Sequence, residues 1–393
     1  MTSGAWKGVS RQGKECSVGI YERLGVRPVI NADATLTRLG GSLMAPEVSD
    51  AMREAAGNFV DMHELQRAVG KRIAELTNNE AAYVTPGAAA GLVLATLACM
   101  NGGDLLQIAR QIEDGVAPKD EVIMQRAHRI PYDPAITLAG GTIVEVGNRL
   151  QTFSWELEAA FTPRTAMVFY VAGDHLTFGA LPLEEVIRIA HAHDVPVVVD
   201  AAAQLPPTEN LWHFTRDMGA DLAVFSGGKD FHGPQASGLV VGTQRMIDAI
   251  AANGSPNQRL ARAMKVGKEE MIGLLTAIER YMQVDWRERV EAYEAMVAHW
   301  VERLNSVPGF TAERVFPNEA GQPTPRCRLR FDPVLELTAA DVARQLWEGD
   351  PRIAVAVDSK DAISFTPELL REGEDNIVLG RLVSLASTLV AAD

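Results

Sequence analysis

The chain is short of cysteine, of aromatic residues and of positive charge. Its three cysteines, Cys16, Cys99 and Cys327, are odd in number and far apart, so neither a disulfide framework nor a zinc spacing follows. The eight histidines form no HExxH pattern, and no metal is expected. Lys and Arg total 37 against 51 Asp and Glu, a formal charge of −14. Nucleic-acid binding needs a basic face for the phosphates, so no nucleic-acid partner is expected. No run of 18 apolar residues occurs, and the N-terminal "MTSGAWKGVSRQGKECSVGIYERLGV" lacks the apolar stretch of a signal peptide. The expectation is a cytoplasmic protein without a membrane span.

What is present is ample core-forming material, 47% of 393 residues, enough for a large domain and a smaller one. Short β-branched runs punctuate the middle of the chain: 81–85, 121–125, 141–147, 165–172, 195–203, 221–228 and 237–242. Amphipathic patterns such as "LEEVIRIAHAHD" (183–194) stand between several of them, and "GAAAGLVLATLACM" (87–100) reads as a buried helix. Strands apolar on both faces, separated by helices, indicate an α/β fold: a mostly parallel sheet sandwiched by helices. From about residue 253 the pattern changes to two long helices, 257–283 and 286–306, then strands 327–332, 353–358 and 362–367 with helices near 338–348 and 376–392. This predicts a smaller C-terminal α+β domain with an antiparallel sheet, and "FPNEAGQPTPR" (316–326) reads as an exposed loop. The expected division is an N-terminal arm over 1–45, a large domain over 46–280 and the small domain over 281–393.

Ligands of an open parallel sheet bind outside the carboxyl ends of its strands, and several polar residues fall there. Asp200 closes "VPVVVD", Lys229 sits in "FSGGKDFHG" just beyond "DLAVF", His128 follows "EVIMQRA", and "TPGAAAG" (85–91) opens a helix. The helix start, with Ala88 and Ala89, offers free N–H groups and a positive dipole end to a phosphate, and the Ser226 hydroxyl can join it. A buried Asp200 needs a permanent cation beside it, such as the protonated ring nitrogen of pyridoxal phosphate. Lys229 can then bind the cofactor aldehyde and act as a base, with His128 stacking on the ring and Ala202 packing on its other side. Each residue also has an ordinary structural use: a helix cap, a core histidine, a loop lysine. Their order and spacing together carry the reading.

Long stretches of the chain resemble a known family: 29–56, 59–100, "HRIPYDPAITLAGGTIVEVG" (128–147), 181–207, "FSGGKDFHGPQASGLVVG" (225–242) and 262–281. They are similar to fold-type I pyridoxal-phosphate enzymes related to L-seryl-tRNA(Sec) selenium transferase, and within them to the branch resembling D-glucosaminate-6-phosphate ammonia-lyase. The resemblance implies Lys229 as the lysine that holds the cofactor and Asp200 as partner of its ring nitrogen. It further implies Ala88, Ala89 and Ser226 at the phosphate, His128 and Ala202 at the ring, and Gln204 near the phenolic oxygen. An acidic chain without an obvious tRNA-binding domain fits the transferase activity poorly. A lyase is implied instead, one that eliminates a β-hydroxyl and releases ammonia from a hydroxylated, sugar-derived amino acid. Racemase, aldolase and selenium transferase-like chemistry, or a non-catalytic protein on this fold, are the alternatives. "LTNNEAA" departs from the TGAEAA-like stretch of relatives, so Asn78 and Asn79 are expected to reshape the mouth of the site. "RIAVAVD" (352–358) lacks an arginine after its apolar strand, which makes Arg326 the substitute carboxylate clamp. Arg38 in the arm is a further substrate-binding candidate, and Lys265 and Lys268 are candidates for a substrate phosphate. A homodimer or larger symmetric homo-oligomer completes the expectation.

Overall fold

Val197, Val198 and Val199 are all fully buried, yet they belong to two different cores. Successive side chains of a strand point to opposite faces. Val197 and Val199 pack with Ile123, Phe225 and Leu239 on one side, while Val198 packs with Met124, Val224 and Val240 on the other. Burying each such valine contributes about 1.5–3 kcal/mol, and a sheet covered on both faces needs runs of this kind.

The computed structural model describes residues 19–390, so Cys16 lies outside the described residues. Its strands are β1 (Val29–Asn31), β2 (Ala81–Thr85), β3 (Glu121–Gln125), β4 (Thr142–Val146), β5 (Thr165–Val171), β6 (Val197–Asp200), β7 (Leu222–Ser226), β8 (Gly238–Gly242), β9 (Phe310–Val315), β10 (Arg326–Phe331), β11 (Arg352–Ala354), β12 (Ala356–Val357) and β13 (Ala362–Phe365). β2 to β8 form one seven-stranded sheet in the order β2-β8-β7-β6-β5-β3-β4. β8 alone runs opposite to the other six strands. The helix Ala88–Asn101 is buried along nearly its whole length against one face, as its uninterrupted apolar composition requires. Among the described residues no single helix is long and apolar enough to cross a membrane.

The C-terminal layer is an antiparallel sheet, β12-β13-β10-β9, packed on the helix Trp286–Asn305. Trp300 sits fully buried at the centre of this core, its ring 4.9 Å from that of Phe365. The arm joins this layer too: β1 pairs in parallel with β11, Val29 opposite Arg352, and Ile30 and Ala32 enter the same core.

Two expectations are corrected. The first long helix starts at Lys268, not at residue 257. The Asn257 amide donates to the carbonyls of Ala251 (3.0 Å) and Gly254 (3.1 Å), a local alternative to helical hydrogen bonding. Residues 316–326 are not an exposed loop, because Asn318, Ala320 and Thr324 are buried. Asn318 folds the segment on itself, accepting from the N–H of Ala320 (3.1 Å) and of Gln322 (3.0 Å).

Candidate active site

β6 and β7 lie side by side, Asp200 opposite Val224, so the last residue of β6 opens beside the turn that follows β7. That turn is Gly227–Gly228–Lys229. A Cβ on Gly228 would lie 2.7 Å from the Gln235 Cα, so only glycine lets the chain fold back this tightly. Ser42 of the arm ties the turn down: its hydroxyl donates to the carbonyls of Gly228 (3.1 Å) and Lys229 (2.8 Å). Asp200 and Lys229 both line a cavity of about 490 Å³ at the carboxyl ends of the strands. It shares Lys229, Ser226, Ala202 and Thr35 with an adjoining polar lobe of about 200 Å³.

Burial works on the two groups in opposite directions. It raises the pKa of the Asp200 carboxyl, opposed by the Ala202 N–H bonded to it at 3.0 Å and by the charge of Lys229. It lowers the pKa of the Lys229 amine, opposed by the charge of Asp200. Desolvation therefore favours the uncharged form of each.

Ala88 and Ala89 line the same cavity at the start of the helix Ala88–Asn101. The first N–H groups of a helix have no intrahelical acceptor, and the dipole there is positive. Gly87 turns into this helix with φ 96°, and Ser226 brings its hydroxyl to the same wall.

Other candidates lie elsewhere. His128 is fully buried and does not line the cavity. Its turn tucks the ring edge-on against Tyr170, 4.3 Å away, with Nδ1 accepting from the Val171 N–H at 3.4 Å. Tyr132 and His175 are the rings that do line the cavity. Gln204 is not among the lining residues either; its amide donates to the Ala320 carbonyl at 3.0 Å and so clamps the 316–326 segment. Arg38 donates to Asp33 (2.8 Å) and does not line the cavity that its neighbours Thr35 and Thr37 line. Lys265 is exposed, Lys268 pairs with Glu269, and neither lines the cavity. Asn78 and Asn79 sit before β2, at the opposite end of the strand from Gly87. Asn79 donates there to Leu211 O at 2.8 Å.

Arg326 does line the polar lobe, nearly buried and paired with Glu319 at 2.9 Å. Glu319, Ala320, Gln322, Thr324 and Glu368 line it too, and none was singled out from sequence. The proline, glycine and amides of 316–326 suggest a solvated loop, and "FTPELL" gives no sign that Glu368 turns inward. Asp230 lines the lobe as well and pairs with Arg289 at 2.8 Å.

Residues 29–307 match the model of the L-seryl-tRNA selenium transferase family, SelA. The chain is 34% identical to D-glucosaminate-6-phosphate ammonia lyase of Salmonella typhimurium, over 93% of this chain and 98% of that one. A solved structure of D-glucosaminate-6-phosphate ammonia-lyase superimposes with a TM-score of 0.83, covering 95% of this chain and 99% of the other. Identity to 5'-C-glycyluridine monooxygenase-decarboxylase of a Streptomyces species is 36%, over 85% of this chain and 83% of the relative. SPT with bound PLP shares the fold alone, with a TM-score of 0.58 at 14% identity, covering 92% of this chain and 88% of the other. The architecture is thus that of fold-type I pyridoxal-phosphate transferases.

Proposed function

Because the chain belongs to the L-seryl-tRNA selenium transferase family, we propose that it is a pyridoxal-phosphate-dependent lyase. In this reading it removes a β-hydroxyl and releases ammonia from a hydroxylated, sugar-derived amino acid, leaving a 2-oxo acid. The observation that carries the proposal is that half-buried Lys229 and buried Asp200 line one cavity, in a chain this similar to an ammonia lyase.

The donor set fits the cofactor. Asp200 is a buried carboxyl at 6% exposure, the partner a protonated ring nitrogen needs, since a lone buried charge is costly. The free amides at Ala88 and Ala89 and the Ser226 hydroxyl suit a phosphate. When bound, pyridoxal phosphate supplies an electron-poor ring that stabilises negative charge on the substrate's α-carbon. Everything else falls to the chain. Lys229, kept toward its neutral form by burial, holds the cofactor and takes the α-proton. Arg326 presents a planar fork to the substrate carboxylate. Asp230, Glu319 and Glu368 give the polar lobe an acidic lining, which suits a hydroxylated chain better than a terminal phosphate. The reading includes a cytoplasmic enzyme and a homodimer or larger symmetric assembly.

The test begins with the absorption spectrum of the purified protein after adding pyridoxal phosphate, with Lys229→Ala as control. Ammonia and 2-oxo acid release are then assayed across hydroxylated and sugar-derived amino acids. A cofactor band lost in the variant, together with ammonia release, is the expected result. α-Deuterium exchange without ammonia would indicate a racemase, and oxygen uptake with carbon dioxide release an activity like that named for the Streptomyces relative. No band at all would leave a non-catalytic protein on this fold.

A further inference from the structure

The polar lobe is lined by three carboxyl groups, and two of them are engaged. Asp230 holds Arg289 at 2.8 Å and Glu319 holds Arg326 at 2.9 Å. Glu368 forms no ion pair among the described residues, and its Oε1 is shut off from solvent without a hydrogen-bond partner. It shares the lobe with Lys229. We propose that Glu368 is the acid that protonates the departing β-hydroxyl, an assignment that rests on the lyase reading above.

A carboxylate oxygen shut off from solvent with no hydrogen-bond donor is costly, whereas a carboxylic acid can wait there with its proton. The groups facing Glu368 are Arg326, Asp230, Glu319 and the Thr324 hydroxyl, while Tyr293 donates to the Glu368 backbone carbonyl at 3.4 Å. Burial outweighs Arg326 and, with the two acids, pushes the carboxyl up to about 7. In the step itself the Cα–H bond breaks to the Lys229 amine and its electron pair becomes the Cα=Cβ bond. The Cβ–O bond breaks with its pair on oxygen, which takes the Glu368 proton and leaves as water. The Lys229 ammonium returns its proton to Cβ, and one water hydrolyses the product to a 2-oxo acid and ammonia. Solvent reprotonates Glu368.

The discriminating experiment is Glu368→Gln with two substrates: the accepted hydroxy amino acid and its β-chloro analogue, whose chloride leaves without a proton. Ammonia release from the hydroxy substrate should fall by about 10²-fold or more, and release from the chloro analogue should stay within about threefold of wild type. Equal losses on both substrates, or full activity on the hydroxy substrate, would overturn the assignment. A wild-type enzyme releasing ammonia from neither would instead sink the lyase reading. Two further readouts do not depend on the activity of the variant. Infrared spectroscopy of the cofactor-free wild type should show a carboxylic-acid band that disappears above pH about 7. In the wild-type holoenzyme the ratio of hydroxy to chloro turnover should fall over that same rise in pH. A flat ratio, or an absent band, counts against Glu368.

Discussion

Gly238 and Gly87 stand back to back: a Cβ on Gly238 would lie 2.4 Å from the Gly87 carbonyl carbon and 2.6 Å from the Ala88 nitrogen. The first strand residue of β8 therefore sets the position of the helix start that faces the cavity. Gly238→Ala must push that start outward. The expected result is a loss of about 1–3 kcal/mol in urea unfolding, with pyridoxal phosphate binding weakened by about tenfold or more, which is 1.4 kcal/mol or more. Fluorescence titration of the apoprotein measures the affinity. Unchanged affinity would remove the phosphate from this helix.

Asp200→Asn keeps the acceptor for the Ala202 N–H and removes only the charge. Turnover should fall by about 10²–10³-fold, the usual cost of losing one preorganised electrostatic partner. Stability without cofactor should be kept or improved, since a buried carboxyl loses its desolvation penalty. Steady-state kinetics and thermal unfolding of the apoprotein check the two halves.

Gln204→Leu cuts the 3.0 Å bond to Ala320. The segment that lines the polar lobe then loosens while Lys229 and Asp200 stay in place. KM should rise more than kcat falls, cofactor affinity should hold, and stability should drop by about 1 kcal/mol. A cofactor affinity that falls with KM would return Gln204 to the cofactor's side.

His128 predicts a pH dependence. Burial lowers its pKa from 6.5 to about 4, so between those values the unfolded chain binds a proton that the folded chain refuses. Stability is complete above pH 6.5 and is lost as pH falls toward 4, by about 3 kcal/mol at 1.36 kcal/mol per pH unit. Urea unfolding of wild type and His128→Gln at pH 7 and pH 5 isolates this residue from the carboxylates. A difference between the two proteins that does not change with pH would refute it.

The large sheet was legible because its strands are buried on both faces and so write themselves as apolar runs. Asp200, Lys229, Ser226 and the helix start were legible for a related reason: strand order determines which residues reach the carboxyl edge. Side-chain direction was not. His128 and Gln204 follow strands as cofactor contacts do, but one turns into the core beside Tyr170 and the other turns to Ala320. The three-residue β1 is too short to leave a periodic signal. Glu368 and the 316–326 segment owe their place to packing between layers, which no local pattern encodes.

Thr35 from the arm and Leu369 from the far end of the chain border the same polar lobe. A nascent chain therefore cannot own a finished site until Leu369 has left the ribosome. The pairing of β1 with β11 and the seat of Glu368 are among its last events. Contacts so distant in sequence slow folding. Products of premature termination that stop short of β9 should carry Lys229, Asp200 and the helix start yet lack Arg326 and Glu368, a seat for the cofactor with no wall to receive the substrate.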